Sequence, residues 1–185
     1  MGKILTIAAI GLLTLIISGC NTSGCTDNQN SLPLAGFYDY ATGQAISLSI
    51  LDIGGVDAPD DSLLYTAGTA YSEVYLPFRS AQNSTSYFIH YAQAGIDSDE
   101  MNDTLTFDYT SQPYFASEEC GAMYHYSITR MTHTTHIVDS VAITDSLITN
   151  KNLQRIKIFF RTMPEPDPEP EPGPEEPEQP EEPEA

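Results

Sequence analysis

The sequence predicts an all-β fold, an antiparallel immunoglobulin-like β-sandwich, and three observations carry that expectation. The chain has no tryptophan but eleven tyrosines, with many Thr and Ser, a composition that suits pleated strands better than helices. No segment sustains a helical period over about eleven residues, whereas alternation recurs. Leu105, Phe107 and Tyr109 share a face, as do Tyr124, Tyr126 and Ile128. Ile156, Ile158 and Phe160 lie opposite Leu153, Arg155, Lys157 and Phe159. Finally, short β-branched and aromatic runs are separated by turn chemistry, the pattern of two packed antiparallel sheets. The Cys–Trp–Cys core of antibody domains is missing, so the expectation concerns architecture alone.

Strands are expected near 34–40, 45–53, 62–66, 71–77, 84–92, 103–110, 114–117, 122–133, 136–148 and 153–161. "ATGQ" closes the first strand, "GGVDAPDD" the second and "TAGT" the third. "AGIDSDEMND" leads into the sixth, and "TNKN" precedes the last. The segment 32–162 is therefore read as the β-sandwich domain. It follows a segment 1–19 and a tether 20–31, and precedes a tail 163–185.

The formal net charge is −19. Such a surface repels phosphates, so nucleic acid is excluded as a partner. The tail from Pro164 holds nine prolines and ten acids without a base. Proline blocks helix and sheet, and like charges extend the chain, so a disordered polyproline II arm reaching roughly 70 Å is expected at ~3.1 Å per residue. It reads as a solvated tail or as a spacer across part of the envelope.

At the other end, Lys3 precedes an apolar run, 4–17, broken only by threonines. A comfortable membrane span needs ~20 residues, so this length suits a signal-peptide core. The run ends in Ile17-Ser18-Gly19-Cys20, which resembles the lipobox of bacterial lipoproteins. That resemblance implies cleavage before Cys20 and a diacylglyceryl and acyl lipid on its thiol. Two or more chains, at ~0.8 kcal/mol per buried methylene, hold a protein stably on a membrane.

Lipidation removes Cys20 from a count of three cysteines. In an oxidising compartment the remaining two, Cys25 and Cys120, are expected to form a disulfide. It would close a loop worth ~4 kcal/mol in the chain-entropy account. No two cysteines are separated by two residues, so a thioredoxin-type motif is absent.

A lipobox, an early second cysteine, "LPLAGFYD" at Leu32–Asp39, "DTLTFDYTSQPYFASEECG" at Asp103–Gly121 and "IKIFF" at Ile156–Phe160 follow in order. Together they resemble small Bacteroidota lipoproteins of a domain-of-unknown-function family. That family implies no activity, substrate or cofactor; it supports pairing of Cys25 with Cys120, and it leaves the tail aside. Membership also implies O-glycosylation at Asp, Ser/Thr, apolar triplets. Four are present, with acceptors Ser62, Thr104, Ser140 and Ser146.

The remaining constellations are thin. "IDSDEMND" offers Asp97, Asp99 and Asp103 as candidate calcium ligands. An EF-hand would need an oxygen ligand at Met101, Gly at Asn102 and Glu at Asp108, so the ordinary reading is a solvated turn. His90, His125, His133 and His136 read as half-buried strand histidines rather than zinc ligands. There is no Gly-x-Ser-x-Gly elbow and no phosphate loop, and Glu118 and Glu119, adjacent on a strand, face opposite sides. No catalytic residue and no soluble cofactor is expected. The chain reads as a non-catalytic, membrane-anchored envelope lipoprotein acting as an accessory or protein-interaction module, expected at the outer membrane facing the periplasm, with exposure at the cell surface as the alternative. The alternative reading is a glycan- or calcium-binding envelope protein.

Overall fold

A computed structural model describes residues 30–117 and 121–161. The expected segment 1–19, Cys20, Cys25, Cys120 and the tail 163–185 lie outside these described residues. Ten strands follow one another: β1 (Leu34–Asp39), β2 (Leu51–Gly55), β3 (Leu63–Tyr65), β4 (Glu73–Tyr75), β5 (Ser84–Tyr91), β6 (Asp103–Ser117), β7 (Gly121–His133), β8 (Val138–Ile143), β9 (Leu147–Ile148) and β10 (Gln154–Phe160). Among the described residues two single 3-10 turns interrupt them, at Pro59–Asp61 and Asp99–Met101. The strands form a four-stranded sheet in the order β4-β1-β10-β8 and a six-stranded sheet in the order β3-β2-β5-β6-β7-β9.

One apolar core lies between the two sheets, as the alternation predicted. Phe37, Ile156, Ile158 and Phe160 come from the first sheet; Leu51, Ile89, Leu105 and Phe107 come from the second; all are essentially fully buried. Burying side chains of this size is worth ~1.5–3 kcal/mol each. Two of the core tyrosine hydroxyls show the pattern: Tyr87 donates to the Pro77 carbonyl and Tyr91 to Asp103 at 2.7 Å. An unpartnered buried hydroxyl would offset much of the gain from its ring.

The structure departs from the expected strands in informative places. The sheets are not wholly antiparallel: β1 and β10 run parallel, with Phe37 opposite Ile158. A parallel pair needs a long crossover, and here nearly the whole domain lies between the two strands. The segment 45–53 is not one strand. Its first half bridges Tyr38 at Ala45 and Tyr71 at Leu48, and only Leu51 onward joins the six-stranded sheet. It crosses from one sheet to the other. The segment 136–148 also divides, β8 pairing with β10 and β9 with β7. Asp145 makes that break, its carboxylate accepting from the Leu147 amide at 2.9 Å. Conversely, 103–110 and 114–117 fuse into one long strand through Pro113, which pairs with Tyr124. Proline is tolerated there because β5 stops pairing with β6 at Asp108, leaving that edge of β6 free of a ladder partner.

Candidate interaction surface

The β6–β7 hairpin has two halves. Up to Asp108 on β6 the strand is flanked by β5, and at Tyr126 and Ser127 β7 is flanked by β9. Beyond them, among the described residues, 112–117 and 121–125 pair only with each other, a ribbon of roughly 20 Å at ~3.3 Å per residue. Strand parity carries the inward face of the sandwich straight out along this arm. Phe107, Tyr109, Ser111, Pro113 and Phe115 share it on β6, and Tyr126, Tyr124 and Ala122 share it on β7. Phe107 is 0% exposed and Phe115 is 64% exposed; Tyr126 is 5% exposed and Tyr124 is 42%. The same face is core at one end and open at the other.

The second face of the arm is also aromatic. Tyr114 stacks on His125 with ring centroids 4.1 Å apart and planes 21° apart. Partial burial there holds the His125 imidazole below its ordinary pKa. Its Nε2 is shielded from solvent without a partner among the described residues. A two-stranded ribbon is marginal by itself, so this one stands on its continuity with the sheet. The foot of the arm is secured where Ser111 donates to the Ser80 carbonyl at 3.0 Å.

The calcium candidates separate. Asp97 and Asp99 are exposed, Asp97 lying 3.3 Å from His90. Asp103 is fully buried and faces inward. One of its carboxylate oxygens accepts from the Thr134 hydroxyl at 2.7 Å and the His136 amide at 2.9 Å. The other accepts from the Tyr91 hydroxyl at 2.7 Å, the Ile137 amide at 2.8 Å and the Val138 amide at 2.7 Å. Five donors occupy the lone pairs that a cation would need. Burial pushes the Asp103 carboxyl up, but the bonds from Val138, Thr134, His136 and Ile137 together outweigh it and hold the group below its ordinary range. Asp103 is thus a bracket that ties the start of β6 to the turn before β8. Among the described residues no group of three or more His, Cys, Asp or Glu side chains is placed to hold a metal.

The candidate glycosylation acceptors also differ. Ser62 and Ser146 are exposed, whereas Thr104 and Ser140 are half-buried in β6 and β8. The histidines do not converge on one another's rings: His90 bonds Asn102 Oδ1 at 2.8 Å, His136 bonds the Asn102 carbonyl at 2.9 Å, and His133 the Asp139 carbonyl at 3.3 Å. Sequence reasoning treated the arm as two strand fragments and missed it. Its signal was the unbroken parity from Leu105 to Phe115.

These features define an all-β, two-sheet domain with a protruding aromatic hairpin. The chain belongs to the family of unknown function DUF6452, whose model matches residues 48–160 and so takes in the whole hairpin and the Asp103 bracket. No curated protein and no solved structure matches it.

Proposed function

We propose that this chain is a lipid-anchored, non-catalytic accessory protein of the cell envelope that engages a partner protein through the β6–β7 arm. The observation that carries the reading is the open continuation of the core face at Pro113, Phe115 and Tyr124. Exposed aromatic side chains of this kind are the residues that anchor protein interfaces. The sequence at the arm's end, Ser117-Glu118-Glu119, adds charge that suits an apolar pocket rimmed by basic groups.

The anchor reading rests on the Cys20 lipobox, and the location proposed with it is the outer membrane facing the periplasm. The immunoglobulin-like description of the sandwich rests on its two facing sheets and shared core. The Cys25–Cys120 disulfide draws support from Ser31, whose hydroxyl lies 3.9 Å from Met123 Sδ. Six residues back to Cys25 span up to ~20 Å, and three back to Cys120 up to ~10 Å, so the two thiols are within mutual reach. The bridge would brace the arm against the tether. Ser62 and Ser146 are the acceptors open enough for a glycosyl group.

Site-specific photocrosslinking tests the reading in native envelopes. A benzophenone side chain at position 115 is expected to give one discrete adduct, and the same group at exposed position 42 none. Equal labelling from both positions, or none from 115, overturns the arm as the interface. Cys20→Ala is expected to release the protein from the membrane fraction; retention there overturns the anchor.

A further inference from the structure

A cleft at the other edge of the six-stranded sheet has a different chemistry. Gly55, Ala58, Leu64, Pro77, Phe78 and Tyr87 line a largely apolar cavity of about 170 Å³, to which Ser62, Thr85 and Arg79 add polar groups. Arg79 also borders a wider polar groove with Gln82, Ser84 and Ser86. The two spaces share Arg79 and Thr85. An engineered apolar cavity of about 150 Å³ accepts benzene, so this one has room for a six-carbon group.

The arginine is held in place. The Tyr109 hydroxyl accepts from the Arg79 amide at 2.9 Å and donates to the Arg79 carbonyl at 3.0 Å, with the Thr85 hydroxyl 2.7 Å away. Phe78 stacks on the Tyr109 ring at 4.3 Å and 2°. The backbone of residue 79 is fixed on both sides before any ligand arrives, so no backbone ordering is needed on binding. At Gly55 the guanidinium lies 3.8 Å from where a Cβ would stand, so it lies over the sheet edge beside the cavity.

The arginine is also unspent. In a chain with twenty-six acids, Arg155 pairs with Asp145, Arg161 pairs with Asp139, and Lys157 sits over the Tyr38 ring, whereas Arg130 and Lys151, like Arg79, form no ion pair with a described carboxylate. Arg79 is half-buried, and among the described side chains, which do not include that of Asp61, no carboxylate pairs with it. Asp57, the acid in the groove, is exposed and does not pair with it. The loop above, between β2 and β3, holds Asp57 and Asp60 at φ of 58° and 57°, a left-handed conformation that concentrates at ligand-binding loops.

We propose that this cleft binds a small monocarboxylate carrying an apolar group of about six carbons. The ring or alkyl group fills the cavity between Leu64, Phe78 and Tyr87. The carboxylate takes the Arg79 fork, a geometry that arginine matches with two parallel bonds. Leu64, which lines the cavity, is itself more than a third exposed, so the apolar lip is open to an entering group.

The test uses the full-length chain in phosphatidylcholine nanodiscs, with empty nanodiscs as the blank, and calorimetric titration of phenylacetate. Phenylacetate is expected to bind at least ten-fold tighter than acetate or phenethylamine. Arg79→Gln and Ala58→Leu are each expected to weaken it at least ten-fold, the first by removing the fork and the second by filling the cavity. Acetate binding as tightly reduces the site to a bare cation and overturns the proposal. Phenethylamine binding as tightly removes the carboxylate from it and does the same. If Arg79→Gln melts well below the parent, Ala58→Leu decides alone, and its binding unchanged overturns the cavity. Displacement of phenylacetate by a peptide of residues 164–185 overturns the small-molecule occupant in favour of this chain's own acidic tail.

Discussion

Phe107 and Phe115 lie on the same strand and the same face, eight residues apart, and they have opposite environments. Phe107 sits among Phe78, Tyr87 and Leu105 under the four-stranded sheet; Phe115 is 64% exposed, on a face of the ribbon that no described strand covers. The local pattern is identical in both regions. What differs is whether a second layer lies across the strand, and that depends on β1, β8 and β10, far away in sequence. An aromatic face without its second layer is an interface waiting for one, which is why the arm carries the functional proposal.

The comparison can be broken by truncating each ring. Phe107→Ala is expected to destabilise the domain by about 3–5 kcal/mol, the usual cost of a large buried aromatic and its cavity. Urea unfolding checks this, and a loss near zero would place Phe107 outside the core. Next in size, Asp103→Asn is expected to cost at least ~3 kcal/mol and lower the melting temperature by roughly 10 °C. It puts an amide N–H among backbone donors that need an acceptor, and bonds to a charged group are worth ~1.5–3 kcal/mol each.

Acid sharpens the same point. The folded Asp103 carboxyl titrates below its unfolded value, so its contribution is complete above pH about 4 and is lost as pH falls through the folded value. The urea midpoint is expected to drop between pH 4 and pH 2 by more in the parent than in Asp103→Asn. Equal slopes would remove Asp103 from the acid limb. The smallest expected effect on stability is at the arm: Phe115→Ser with Tyr124→Ser should stay within about 0.5 kcal/mol of the parent. The same pair should abolish crosslinking from an otherwise unchanged arm, for example from a benzophenone at Tyr114.

Much of this was legible beforehand, and the residues show why. The Ile156, Ile158, Phe160 stripe and the Leu105, Phe107, Tyr109 stripe are buried as their alternation required, because side-chain parity on a strand is fixed by backbone geometry. The same parity, followed one step back, puts Asp103 on the core face. The acidic run around it hid that, since "IDSDEMND" reads as a solvated turn. Parity followed forward puts Phe115 on the core face too, and there it misleads, because parity assigns a face without saying what lies opposite.

The sequence by itself determined the all-β class, the inward stripes and the turns, all of which depend on chemistry within a few residues. Only the tertiary structure decided the parallel β1–β10 pair, the crossing of 45–53 between sheets, and the division of 136–148 between them. It alone decided that Asp103 gathers donors from residues thirty-one to thirty-five positions away, that Arg79 lines a cavity with no described carboxylate paired to it, and that the arm outruns its cover. Each of these depends on which surfaces meet across the core, and sheet pairing is settled by contacts between segments that no local pattern encodes.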